Sequence, residues 1–145
     1  MDDIETSMLR VMEAYKTAIS EKDIEAFISL YSPDVKVFDA WSVWFYDGSE
    51  IWRKLIKEWF LSLGNECVRV NFEEVQTLCG CELAVLTAIV TYAGYSAEGK
   101  ELRTMQNRLT WTFKPERGAV KIVHEHTSVP VDFNDKKAIL LRELR

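Results

Sequence analysis

Long apolar runs are missing from this chain, and none approaches the roughly 18 residues that a membrane-spanning helix requires. Positive charge is also scarce. The 18 Lys and Arg residues are outnumbered by 23 Asp and Glu, leaving a net charge of −5. Nucleic acid demands a basic footprint, so no nucleic-acid partner is expected. Anionic membrane surfaces are disfavoured for the same reason, and no membrane partner is expected. The start, Met1-Asp2-Asp3-Ile4-Glu5, lacks the basic and apolar regions of a signal peptide, which makes a cytoplasmic protein the expectation. Glycine is sparse and scattered: positions 48, 64, 80, 94, 99 and 118 read as turns and form no phosphate-cradling loop. No cofactor is therefore expected. The three cysteines make an odd count, and Cys79-Gly80-Cys81 is one residue too short for the usual redox or zinc pair. A bridge between such close neighbours would be strained, so Cys67, Cys79 and Cys81 read as reduced strand and turn residues.

What the chain does have is material for one core. Its 145 residues, 48% hydrophobic and 12% aromatic, suit a single domain over 1–145. Ile4, Met8, Val11, Met12, Tyr15, Ala18 and Ile19 recur at three- and four-residue spacings and form one helical stripe. Asp23 reads as the N-cap of a second helix through Ile24, Phe27, Ile28, Leu30 and Tyr31, stopped at Ser32-Pro33-Asp34. Residues 35–40 read as a strand. Asp47-Gly48-Ser49-Glu50 has capping-box spacing and opens a third helix, closed by Gly64.

From Asn65 onward the helical period disappears. Residues 67–78, 83–95, 102–113 and 120–131 read as four long strands joined by short turns. Within 83–92 both alternating faces are largely apolar, which predicts a central strand covered on both sides. Residues 134–144 read as a short terminal helix or a tail. Three helices with an early strand, followed by an antiparallel meander, suit an α+β layer with helices on one face of one sheet. A second copy of the chain is the simplest cover for the other face, so a homodimer is expected.

The last strand carries the most chemistry. Side chains two apart share a face of a strand, so Val120, Ile122, His124, His126 and Ser128 are expected to project together. Polar groups directly after apolar ones are what a strand shows where a core opens into a pocket.

Together these segments resemble the SnoaL-like family of the nuclear transport factor 2-like superfamily, which includes ketosteroid isomerase. Tyr15, Asp23, Phe27 and Leu30-Tyr31-Ser32-Pro33-Asp34-Val35 match its opening helices and first strand. Asp47-Gly48 and Ile51 match the start of its third helix. Arg108, Thr110, Gly118, Ile122, His124, His126 and Ser128 match its last two strands, whose ending also resembles the association domain of calcium/calmodulin-dependent protein kinase II. The resemblance implies a cone: three N-terminal helices packed on a curved, mainly antiparallel sheet around one cavity, commonly paired into dimers. Members of the superfamily isomerise, cyclise, hydrate, carry ligands or assemble other proteins, so activity must be argued from the site.

Asp39 alternates with Val35 and Val37, which places a carboxylate on an apolar face, where desolvation would make it a usable general base. The alternative is a strand-end residue capping the next loop. The resemblance places Asp39 at the proton-abstracting aspartate of ketosteroid isomerase and Tyr15 at the tyrosine of its oxyanion hole. That enzyme's second, protonated aspartate has no counterpart: the corresponding stretch holds Asn107, Leu109 and Thr110, so steroid isomerisation itself is not expected. Asn107 remains a hydrogen-bond donor. Arg108, on one face with Thr110, would bind a carboxylate or enolate if inside the cavity and is a solvated charge if outside. His124 and His126 offer an acid, a base or a donor. They lack the third ligand a metal site needs, so no metal is expected. Ser128 beside His126 lacks triad geometry. Trp41 and Trp44, with Phe45 and Tyr46, form a pocket lip or a dimer contact.

The expectation is a buried cavity for a small apolar ligand bearing a carbonyl or carboxylate, with Asp39, Tyr15 and His126 as catalytic candidates. Asn107, Arg108, Thr110, His124, Ser128, Trp41 and Trp44 are the ligand-binding candidates. A non-catalytic carrier or a homo-oligomeric assembly module is the other reading.

Overall fold

In the computed structural model, residues 3–143 are described. Asp3 accepts a hydrogen bond from the Thr6 amide at 2.8 Å and so starts helix α1 (Ile4–Glu21). Lys22, left-handed at φ 54°, closes it. The predicted stripe turns inward: Met8, Val11, Tyr15, Ala18 and Ile19 are buried. Asp23 caps α2 (Ile24–Ile28) through the Ala26 amide. This helix ends earlier than its apolar spacing predicts, because Tyr31, Ser32 and Pro33 already belong to strand β1 (Tyr31–Phe38). A short β2 (Tyr46–Asp47) follows, then α3 (Ser49–Ser62). The expected capping box is not made; Gly48 is the N-cap and offers no side chain. Gly64, at φ 56°, closes the turn after α3 as predicted.

The meander consists of β3 (Cys67–Cys79), β4 (Ala84–Tyr95), β5 (Glu101–Glu116) and β6 (Ala119–Ser128). Its strands join β1 and β2 in one six-stranded sheet of order β2-β1-β6-β5-β4-β3. The architecture is the expected α+β, with a single parallel pair, β1 with β6, in an otherwise antiparallel sheet. Pro115 lies within β5 opposite Val120, and the turn falls instead at Arg117 and Gly118, both at positive φ. Residues 134–143 form no helix. They run as a tail in which the Gln106 amide donates to the Leu140 carbonyl at 2.7 Å. The Arg142 guanidinium reaches Glu73 and Glu74.

The three helices cover one face of the sheet and bury an aromatic core of Tyr15, Phe27, Tyr31, Trp52, Phe60, Trp111 and Phe113. Strand β4 is not the doubly covered centre its sequence predicts. It lies next to the edge strand β3, and on its far face Thr87 is exposed while Val85 and Ile89 are only half-buried. No helix among the described residues is long and apolar enough to cross a membrane.

Candidate functional site

The phase of β6 decides which groups enter the interior. The pairing of Thr112 with His124 and of Phe113 with Ile122 leaves Val123 without a partner: a β-bulge. A bulge shifts the alternation by one residue. Val120 and Ile122 are buried as expected, but after Val123 the buried residues are Glu125 and Thr127. The expectation that His124, His126 and Ser128 share the apolar face is therefore corrected; they lie on the outer face. His124 Nδ1 donates to the Lys36 carbonyl at 2.7 Å, which fixes its tautomer. Ser128 Oγ accepts from Arg108 Nε at 3.0 Å. Arg108 and Thr110 are on that same outer face, opposite Ser128 and His126 respectively, so Arg108 is not a cation inside the fold.

Asp39, Tyr15 and Asn107 are on the inner side. The parallel register sets Val37 against Glu125 and Phe38 against His126, which brings Asp39 alongside Thr127. The Thr127 hydroxyl donates to Asp39 Oδ1 at 3.0 Å and accepts from the Ala40 amide at 2.9 Å. Burial pushes the Asp39 carboxyl above its ordinary value, and hydrogen bonds from Thr127 and the Trp41 and Ala40 amides hold it back in part. Asp39 is thus a desolvated carboxylate at the end of β1, bonded to Thr127 and to the amides of the following loop.

Deeper lies a cluster that strand periodicity does not reveal. Glu125 is 2% exposed. Its Oε1 accepts from the Tyr31 hydroxyl at 2.6 Å and from Trp111 Nε1 at 2.8 Å. Burial raises its pKa to about 7 against the pull of those two donors, and the nearby Asp39 charge adds to the rise. The Tyr15 and Tyr92 hydroxyl oxygens are 2.8 Å apart, and burial raises both pKa values. Asn107 is buried with its Oδ1 unpartnered, and so is Trp52 Nε1. Unpaired buried polar atoms are uncommon and call for an explanation. Among the described residues, no Lys, Arg or His is buried.

A cleft of about 540 Å³ lies at the Asp39 end of β1, and Tyr15, Tyr92, Asn107 and Glu125 are not among the residues that line it. Its wall includes Asp39 and Thr127, and Val43, Trp44 and Phe45 form its lip. His126, although on the outer face, reaches its rim. Trp41 and Trp44 belong to the same loop and are 51% and 93% exposed. The hollow is open, not the buried cavity the sequence suggests, and the interior holds packed rings: Tyr15 lies 5.1 Å from Trp111 and 5.9 Å from Phe72, centroid to centroid. Among the described residues no three His, Cys, Asp or Glu side chains gather as metal ligands.

Three helices laid on one face of a six-stranded mixed sheet, with ionisable groups held between the layers, define the nuclear transport factor 2-like class. Within it, residues 8–132 match the SnoaL-like domain model, and the chain belongs to that family. The fold is shared with a nuclear transport factor 2-like protein of unknown function from Pseudomonas putida KT2440 at 18% identity and a TM-score of 0.83, over 97% of this chain and 96% of that one. It is shared with Aln2 from a Streptomyces species at 10% identity and a TM-score of 0.77, over 88% and 91%. The association domain of C. elegans CaMKII is similar at 20% identity and a TM-score of 0.69, over 86% and 94%. No curated protein matches the sequence.

Proposed function

We propose that the cleft binds a small apolar molecule bearing a carbonyl and that Asp39 moves a proton on the carbon beside that carbonyl. The observation that carries this reading is the position of Asp39: a desolvated carboxylate in the cleft wall, held by Thr127, with no Lys or Arg among the described residues that line the cleft. Removal of the proton leaves charge on the carbonyl oxygen, which needs donors. Of the candidate donors His126 stands in the cleft lining, while the paired Tyr15 and Tyr92 hydroxyls and the Asn107 amide lie on the inner side outside that lining, so His126 is the donor assigned here. Trp44 and Phe45 give the ligand's apolar body a surface to cover.

The test is a thermal-shift panel of small aromatic and alicyclic ketones, followed by proton–deuterium exchange at the α-carbon of any binder. Binding stabilises the native state with the logarithm of ligand saturation. Asp39→Asn is expected to lower the exchange rate by at least a hundredfold while leaving binding within a fewfold. Full exchange by Asp39→Asn removes Asp39 from the reaction.

A second, non-catalytic reading rests on the outer face. Val85 and Ile89 of β4 lie half-covered opposite Thr112 and Arg108, on the face that also carries Thr110, His124 and His126, a surface that a second copy of the chain would complete. Light scattering at micromolar concentration distinguishes the dimer this predicts from a monomer.

A further inference from the structure

The geometry points to Glu125 as a positioning residue that holds a proton behind Asp39, so that the Asp39 carboxylate in the cleft wall stands as the one negative charge there among the described residues and the cleft selects uncharged ligands over carboxylates. This deepens the reading of Asp39 given above and rests on it. Three observations carry it. The first is placement: the bulge at Val123 turns Glu125 to the inner face, and the β1–β6 register then sets it diagonally beside Asp39. The Asp39 charge is felt at Glu125 and adds to the cost of ionising it in this water-poor interior.

The second is the pattern of hydrogen bonds. Tyr31 and Trp111 both donate to Oε1, and Oε2 receives neither. Those two bonds pull toward the ionised form and burial outweighs them, so Oε2, which neither donor reaches, is the oxygen left to carry hydrogen. The third is the absence of compensation. The groups facing Glu125 are Tyr15 from α1, Tyr31 and Asp39 from β1 and its end, Tyr92 from β4 and Trp111 from β5. None is a cation. Two buried carboxylates without one would be expelled or would share protons, as paired carboxyls do.

The consequence for ligands follows from sign. Arg108 is outside, so among the described residues no buried cation answers a carboxylate, and Asp39 repels it. A ketone or phenol carries no such penalty. A cationic amine would instead draw the proton from Glu125 and bind better as pH rises.

Two measurements on the full chain test this. Carbon-13 NMR of the carboxyl groups, with no ligand present, is expected to show Glu125 protonated at pH 5.5 and titrating near neutrality. Asp39→Asn is expected to move that midpoint to lower pH, because a neighbouring negative charge is removed. A Glu125 signal ionised at pH 5.5, or a midpoint indifferent to Asp39→Asn, overturns the pairing, and it does so whether or not Asp39 is a base. In the second, thermal shifts with acetophenone, benzoate and benzylamine at pH 7 compare one aromatic body with three charges. At least tenfold tighter binding of the ketone than of benzoate is expected. At pH 5 the Glu125→Gln variant should show the same ratio as the unchanged chain, since both then hold a neutral group there. Benzoate binding as tightly as the ketone, or silence from all three, overturns the selectivity, and amine binding that weakens from pH 5 to pH 7 overturns the charges assigned to Asp39 and Glu125.

Discussion

The two faces of β6 carry neighbouring residues of similar chemistry and put them to opposite use. Outward, His124 and His126 sit edge-on to Phe38 at 4.9 and 5.4 Å, within reach of water. Inward, Glu125 and Thr127 are 2% and 4% exposed and are enclosed by Tyr31, Trp111 and Asp39. Residue type alone ranks histidine first as an acid or base near neutral pH. Environment reverses that ranking, because desolvation raises the glutamate into the same range. What distinguishes the faces is therefore the single unpaired residue, Val123, that fixes their phase.

The strongest way to break the comparison is to remove the wall that separates the faces. Trp111 is fully buried, touches Tyr15, Phe72 and Phe113, and donates to Glu125. Trp111→Ala is expected to cost about 3–5 kcal/mol, from lost burial and the cavity it leaves. Urea denaturation followed by circular dichroism measures it. Trp111→Phe keeps most of the ring and deletes the N–H, so about 1–3 kcal/mol is expected from the lost bond. Equal costs for the two variants would mean that the hydrogen bond, rather than the packing, holds this part of the core.

The next effect is on pH dependence, and its sign follows from linkage. Glu125 has an ordinary value of 4.5 when unfolded and about 7 in the fold. Its protonated form therefore favours the folded state. That contribution is complete below pH 4.5, fades as pH rises through about 7, and is gone above it. The whole change is on the order of 3 kcal/mol. Stability should fall between about pH 4.5 and pH 7, and Glu125→Gln should flatten most of that fall. Asp39, also raised by burial, contributes a smaller amount of the same sign. Thermal melts across this range check it; a Glu125→Gln curve parallel to the unchanged chain would remove Glu125 as the source.

Much of this is legible in the sequence, and the part that is not has a definite cause. The α1 stripe, the Asp23 cap and the four meander strands follow from local rules of spacing and capping, and those rules hold here. Tyr15 and Asp39 are reached through the family resemblance together with simple alternation along helix and strand. The side of the sheet on which residues after Val123 lie cannot be reached that way. Strict alternation carries the phase of Val120 and Ile122 through to His124, and only pairing with Thr112 and Phe113 reveals the extra residue. The trace left in sequence is slight: two β-branched residues in succession, Ile122 and Val123, and a tryptophan on the next strand whose buried N–H needs an acceptor. The open cleft is equally beyond reach, because whether aromatic rings fill or line a hollow depends on how they pack.

A smaller effect is expected from Thr127, the inner residue that ties β6 to Asp39. Thr127→Val preserves shape and deletes two hydrogen bonds, to Asp39 Oδ1 and from the Ala40 amide. A loss of about 1–2 kcal/mol is expected. The Asp39 carboxyl should also titrate at higher pH, since a donor that favours its ionised form is gone. Carbon-13 NMR reads this directly, and an unmoved Asp39 midpoint would show that the bond does not tune the carboxyl.

The smallest effect should come from the residue on the other side of the same strand. His126 is exposed and makes ring contacts with Phe38 and His124 in addition to its backbone ladder. His126→Ala is expected to change the stability of the single chain by no more than about 0.5 kcal/mol, as surface substitutions usually do. Its consequences should lie elsewhere: in association, if the outer face meets a second copy, or in ligand affinity, if the rim of the cleft holds the ligand's oxygen. Light scattering and the ketone thermal shift separate these. Whichever responds, the fold should not. A loss as large as that of Thr127→Val would mean that the outer face is as firmly packed as the inner one, and that the bulge does not divide β6 into a packed side and a free one.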